Sequence, residues 1–194
     1  QREIHKREAS LLEQLQEEIA DLFRSEPNPP TVISGGTTRS GSTLAGLRSI
    51  KDSEGFVLVH DAARPLVTTE TISAVVKALE IREAVTVASP ATDTILTVRN
   101  SSITDIPNRS TTWHAQTPQG FHLATLRAAY EAAGSTSLDF TDDCSIVRKY
   151  LPNVSIGLIP GPPDNIKITR PVDIEIAESL LANREAQSRV PYSE

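Results

Sequence analysis

VLVHDAARPLV occupies residues 57–67. Phe56 precedes Val57, Leu58 and Val59, and a run of β-branched and bulky apolar residues has the composition of a buried strand. His60, Asp61 and Arg64 follow at once. An apolar strand that runs straight into a charged loop is how an open α/β sheet presents chemistry at the carboxyl edge of its strands.

The segments on either side extend this reading. After Pro65 a helix is expected from about Thr69 to Arg82, carrying Ile72, Val75, Val76 and Leu79, and AVTVAS at 84–89 reads as a second strand. Upstream, SLLEQLQEEIADLF at 10–23 places Leu11, Leu12, Leu15, Ile19, Leu22 and Phe23 on one side at helical spacing, with Ser10 as a candidate cap. SEPNPP breaks that helix, TVIS at 31–34 reads as a strand, and GGTTRSGST at 35–43 is a loop feeding a short helix through Leu44 and Leu47. Alternating strands and helices predict an α/β fold with a mainly parallel, Rossmann-like sheet, right-handed crossovers and flanking helices.

From Ala91 to Ala115 the rhythm changes. TILTV and SITDIPNRSTTWHA read as short, partly polar strands joined by a turn at Arg99-Asn100-Ser101, a β-arm (91–115) leaving the main sheet. A helix is then expected from Leu123 to Ala133. Another starts at Thr141 as its N-cap, with Asp142 and Asp143 at its positive end. VSIGLI is a strand, GPPDNIKIT a loop with a short strand, and the last helix has Pro171 in its first turn. One domain over 1–182 with a tail at 183–194 is the expected organisation.

Composition excludes several classes. The net charge is −6, and the 19 lysines and arginines are scattered, which argues against a nucleic-acid polymer as partner but leaves room for a small anionic ligand. A single cysteine, Cys144, excludes a disulfide scaffold and fits a reducing compartment; its amphipathic helix makes it a core residue rather than a nucleophile. No apolar run approaches the ~20 residues that span a bilayer, and no signal-peptide pattern opens the chain, so the expected location is the cytoplasm, away from membranes. Gln1 opens inside a helical pattern and the sequence holds no methionine, from which a missing natural start is expected.

Four loops would meet at the carboxyl edge: 35–43, 60–65, 89–94 and 160–169. Asp61 and Arg64 form either a salt bridge that stiffens a turn or a working pair, with Asp61 on a metal ion or a ribose hydroxyl and Arg64 on a phosphate. His60 reads as structural. Lys167 lies between Ile166 and Ile168 and would project opposite to them on a strand, either into solvent or towards a phosphate. GGTTRSGST is either a phosphate cradle or an ordinary turn, since it lacks the complete P-loop and dinucleotide patterns. WHAQTPQGF at 113–121 is either a tight turn or a substrate-facing loop.

Taken together, GGTTRSGST, VLVHDAARP, DTI at 93–95, Arg109 four residues before WHAQTPQGF, TDDCS at 141–145 and DNIKITRPVDIEIAE at 164–178 go further. In this order and spacing they resemble the polyol-phosphate cytidylyltransferases, the group containing the 2-C-methyl-D-erythritol 4-phosphate and D-ribitol-5-phosphate enzymes. The likeness runs from about residue 31 to 181. It implies transfer of CMP from CTP to a polyol phosphate, giving a CDP-polyol and pyrophosphate with a divalent metal, usually Mg²⁺. By the resemblance, Gly35, Gly36 and Ser42 border the cytosine with support from Arg39. Asp61 and Arg64 lie by the ribose, metal and acceptor, with Asp61 as the metal ligand. Thr94, Arg109, Thr117 and Thr141 grip the polyol phosphate together with Lys167, which also stabilises charge at the α-phosphate. The resemblance further implies a homodimer in which Arg109, carried on the β-arm, completes the partner's site.

The sequence departs from the family pattern in two places. The first strand and the glycine-rich loop bearing Arg and Lys that wrap the triphosphate have no counterpart here, so a non-catalytic dimeric homologue is the alternative of another class. Leu96 stands where the isoprenoid branch usually has lysine. With TDIPNR at 104–109, Ser42-Thr43-Leu44 and DCSIVRKYLP at 143–152, this leans the reading to ribitol phosphate, whereas HDAARP and WHAQTPQGF are at home in the erythritol branch. The tail after Ala182 can lead into a further domain, as in ribitol-type relatives fused to a reductase.

Overall fold

The computed structural model describes residues 2–134 and 140–188, with the side chains of residues 2–10, 12 and 188 left out. They fall into two compact units, Gln1–Asp52 with Gly134–Asp142, and Ser53–Ala133 with Asp143–Glu194.

The first unit holds α1 (Arg2–Leu22) and α2 (Arg39–Ser49). Leu11, Leu15, Leu22 and Phe23 of the amphipathic segment are exposed. Residues 31–34, expected as a strand, join no ladder among the described residues, and a strand is defined by a ladder partner that the local sequence cannot supply. The Thr38 hydroxyl caps α2 by accepting from the Gly41 N–H at 3.0 Å.

The second unit is built on a four-stranded sheet in the order β1 (Phe56–Val59), β5 (Trp113–His122), β2 (Ala84–Pro90), β6 (Ile156–Pro160). β2 and β6 are parallel, while β5 runs antiparallel to both β1 and β2. Three of the four strands therefore point the same way, with β5 inserted against them. WHAQTPQGF, expected as a turn or loop, is thus the body of a central strand. Its Gln, Thr and Pro residues misled because proline cannot donate to a ladder. The ladder steps from Thr86↔Gln119 to Ala88↔Ala115, so Gln116, Thr117 and Pro118 bulge out where Val87 alone stands opposite, and the Thr117-Pro118 peptide is cis. The bulge is where a strand tolerates proline.

Helices cover both faces. α3 (Thr69–Leu79) packs Val75 and Leu79 on Val85 and Val87, and a Cβ on Gly120 would lie 2.6 Å from Val75 Cγ1. The neighbouring Gln119 points to the opposite face, where its Oε1 accepts the N–H groups of Asp143 (2.9 Å) and Cys144 (3.3 Å) at the start of α5 (Asp143–Tyr150). That helix starts at Asp143, two residues after the expected cap Thr141, because a buried glutamine from the sheet satisfies its first donors. Cys144 is buried there. α4 (Leu123–Ala133) packs beside α5, and the Tyr130 hydroxyl donates to Asp143 at 2.6 Å.

The excursion contains a short hairpin, while residues 113–115, expected within the arm, pair with β2 as the start of β5. β3 (Thr97–Arg99) and β4 (Ser102–Asp105) make an antiparallel hairpin of their own, with Asn100 (φ 50°) and Ser101 (φ 61°) in the left-handed region that a two-residue hairpin turn requires. α6 (Pro171–Ser188) closes the described chain and runs past Ala182 into the segment expected as a tail. Asp173 fixes its start by accepting from the N–H groups of Thr169 (2.9 Å) and Arg170 (2.8 Å). Among the described residues, no helix is long and apolar enough to cross a membrane.

Candidate active site

The carboxyl ends of β1 and β6 deliver two loops to one edge of the sheet, beside the bulge of β5. The turn after β1 is closed by the Arg64 N–H donating to Asp61 O at 2.9 Å, and the Ile168 N–H donates to Ala63 O at 2.8 Å, stitching the 161–169 loop to that turn. GPPDNIKIT forms no strand; Lys167 sits on irregular backbone and is placed by such loop-to-loop bonds instead of a ladder.

Asp61, Arg64 and Lys167 converge. Lys167 Nζ lies 3.0 Å from Asp61 Oδ2 and Arg64 Nε 3.8 Å from the same oxygen; the side chains are 44 %, 12 % and 17 % exposed for Lys167, Arg64 and Asp61. The trio carries one negative and two positive charges, a net positive centre whose half-exposed member is Lys167. Arg64 differs from the expected phosphate receptor. Its Nη1 donates to Asn165 O at 2.7 Å and Nη2 to Ala115 O at 3.3 Å, so two of its five N–H donors hold backbone carbonyls while its charge faces Asp61. Burial draws its pKa down from the ordinary arginine value, with the Asp61 charge opposing that shift.

Beneath the trio the hydrogen-bond directions are determined by carbonyls, which only accept. His60 Nε2 faces Arg64 O at 3.0 Å and carries a proton; in the neutral ring Nδ1 then accepts from the Thr117 hydroxyl at 2.9 Å, and that oxygen accepts the Asp61 N–H at 3.0 Å. Thr117 is 5 % exposed, and its hydroxyl, expected on the substrate, serves to hold Asp61. Gln116 donates to Pro162 O at 3.1 Å, which turns its Oε1 towards Asn165 Nδ2 (3.3 Å); that amide also donates to Thr117 O at 2.9 Å. Gly161 permits this packing, since a Cβ there would lie 2.3 Å from Gln116 Oε1 and 2.4 Å from Val87 Cγ1. Arg64 Nε and Asn165 Oδ1 remain buried without a hydrogen-bond partner, at a cost of about 1–3 kcal/mol each. Sequence reading gives Asn165 and Gln116 no role, although they lie within the quoted runs DNIKITRPVDIEIAE and WHAQTPQGF.

Each of the other expected residues has its own local setting. Arg109 opens a 3₁₀ turn (Arg109–Thr111) below the hairpin and donates to Thr92 O at 3.2 Å; Thr94 is exposed in the same region. In the first unit, the Gly36 N–H donates to Ser42 Oγ at 3.1 Å, and a Cβ on Gly36 would lie 2.6 Å from Gly41 C, so the loop folds back on the start of α2 beside Arg39 only with glycine there. Thr141 is exposed. Among the described residues no group of three His, Cys, Asp or Glu side chains converges. Asp61 supplies one hard oxygen-bearing side chain, which suits a Mg²⁺ ion that arrives with phosphates, because this ion is held by one or two carboxylates plus substrate oxygens.

Comparison with known proteins identifies the family. The family model IspD, 2-C-methyl-D-erythritol 4-phosphate cytidylyltransferase, matches residues 4–183. A bifunctional ribulose 5-phosphate reductase/CDP-ribitol pyrophosphorylase of Haemophilus influenzae is 43 % identical over 157 residues, covering 79 % of this chain and 33 % of that protein. A 2-C-methyl-D-erythritol 4-phosphate cytidylyltransferase of Thermobifida fusca is 40 % identical over 164 residues, covering 80 % of this chain and 66 % of that protein. The chain thus spans a third and about two thirds of these relatives. The crystal structure of 4-diphosphocytidyl-2C-methyl-D-erythritol synthase from Anaerococcus prevotii superposes with a TM-score of 0.79 at 29 % identity, covering 86 % of this chain and 76 % of that one. The chain belongs to the IspD cytidylyltransferase family.

Proposed function

From that membership, we propose that the protein transfers the cytidylyl group of CTP to a polyol phosphate. The observation that carries the reading is the net positive Asp61–Arg64–Lys167 trio at the sheet's carboxyl edge. An oxygen of the acceptor phosphate attacks the α-phosphorus of CTP in line, the bond from the α-phosphorus to the bridging oxygen breaks, and pyrophosphate leaves. The acceptor is already ionised, so the protein's work is positioning and charge neutralisation. Lys167 stabilises the charge that gathers on the α-phosphate oxygens. Asp61 orients Lys167 and would hold a Mg²⁺ brought in with the triphosphate, which supplies further neutralisation when bound. Arg64, His60 and Thr117 fix Asp61. The loop of Gly35, Gly36 and Ser42, with Arg39, borders the cytosine, and Thr94, Arg109 and Thr141 take the polyol phosphate. The exposed hairpin, with Val98 (56 %) and Ile103 (58 %), serves a homodimer in which Arg109 completes the partner's site.

The acceptor favoured by the family's own chemistry is 2-C-methyl-D-erythritol 4-phosphate. D-Ribitol 5-phosphate is the second reading, supported by the exposed Leu96 and by the 43 % identical bifunctional relative. The test is pyrophosphate release by the full-length protein with CTP and Mg²⁺, offering both acceptors in parallel. Release with one assigns the pathway; release with neither overturns the proposal.

A further inference from the structure

We propose that Arg184, on the rear of α6, is a positioning residue that sets the distance between the two loops of the active site. Its Nε donates to Asp164 Oδ2 at 3.1 Å, Nη2 reaches the same oxygen, and Nη1 donates to Leu66 O at 2.8 Å. One planar group thereby joins two loops. Leu66, buried at 6 % exposure, lies two residues beyond Arg64, and Asp164 three residues before Lys167.

The loop 161–169 has no ladder partner, and Lys167 is attached to it by a long flexible stem. The site of its ammonium group is therefore set by how firmly the loop is held against the 60–66 turn. On the front, the contacts are Ile168 N–H to Ala63 O, Arg64 to Asn165 O, and Lys167 to Asp61. Arg184 ties the same two segments from a third element, through Asp164 and Leu66 and not through the trio itself. The fixed fork of a guanidinium spans a carboxylate and a carbonyl at once; an ammonium group on a lysine stem keeps the charge without that span.

The inference rests on the reading of Lys167 as the charge that meets the α-phosphate, and the test separates the two. Hydrogen exchange of the Ile168 amide reports the loop junction without any substrate. In Arg184→Ala it is expected to quicken at least about tenfold while the core amides of Val85 and Val87 keep their wild-type rates. kcat is expected to fall about tenfold with the KM for CTP within about twofold, because displacement of a charge damages the transition state more than binding. Arg184→Lys should recover part of kcat, and Asp164→Asn should reproduce the loss in a second, milder background. Ile168 exchange within twofold of wild type, or faster exchange with unchanged kcat, overturns the inference, as does uniform acceleration through Val85 and Val87 in both Arg184→Ala and Asp164→Asn. A wild-type protein that releases no pyrophosphate defeats the functional reading alone, and the exchange comparison still decides whether Arg184 holds the loops.

Discussion

Lys167→Ala separates chemistry from stability. The trio carries a net charge of +1 and the variant leaves Asp61 and Arg64 alone, a neutral pair, facing an anionic transition state. Removing one preorganised donor aimed at developing charge typically costs 10²–10³ in turnover, about 2.7–4 kcal/mol. Stability should respond far less. Lys167 is 44 % exposed, and an ion pair that open to water contributes at most about 1 kcal/mol. For a chain of 194 residues that is a shift in Tm of about 2–4 °C. The assay is steady-state pyrophosphate release on the acceptor that wild type prefers, beside a thermal melt. Turnover within threefold of wild type would refute the placement of Lys167 at the reacting phosphate. A fall of more than about 10 °C in Tm would refute the separation of roles, since the loss would then reflect unfolding.

Three further outcomes are expected. Gly161→Ala should destabilise by about 1–3 kcal/mol through overpacking against Val87 and Gln116, whereas Gly46→Ala, with nothing within 4 Å of the new Cβ, should stabilise by about 0.4–1 kcal/mol; urea midpoints for both variants check the contrast. Thr68→Ala removes the acceptor for the Thr71 N–H at the start of α3 and should cost about 1 kcal/mol in the same assay, with an unchanged midpoint counting against the cap. The backbone donors of Thr169 and Arg170 pull the Asp173 carboxyl down to about 2, so its stabilisation is complete above the ordinary aspartate range and disappears as pH falls through about 2. The Tm difference between wild type and Asp173→Ala should therefore be full at pH 6 and shrink towards pH 2, and a difference that grows on acidification would contradict the assignment.

Much of the second unit was legible because local pattern and tertiary role agree there. Phe56–Val59, the α3 periodicity, the turn at Asn100-Ser101 and Pro171 at the head of α6 each declare themselves within a few residues. The failures share one cause. β5 takes its identity from β1 and β2 on either side, residues 31–34 lack a pairing partner among those described, and Lys167 is placed by bonds to Ala63 and its neighbours instead of by its own strand pattern. The site showed a parallel split. Asp61, Arg64 and Lys167 stand out as charges at loop ends, but nothing in the sequence tells that Arg64 and Thr117 face inward to hold Asp61, or that Arg184 reaches back from a segment that reads as a tail.

The insertion of β5 between β1 and β2 also dictates when the protein can assemble. Val57 pairs with Phe121 and Ala84 with Ile156, so two of the three ladders of the main sheet join strands far apart in sequence, and in the third, β2 with β5, the hairpin excursion intervenes. During synthesis from the N-terminus, β1 and β2 emerge before the strand that separates them exists, and their flanks must not close on each other. Such non-local pairing places loop closure ahead of most of the stabilising contacts and slows folding relative to a fold of sequential hairpins. The polar bulge at Gln116–Pro118 then acts as a register lock: the hydroxyl of Thr117 and the amide of Gln116 find their partners in only one alignment, so the slow closing step and the assembly of the Asp61 site are the same event.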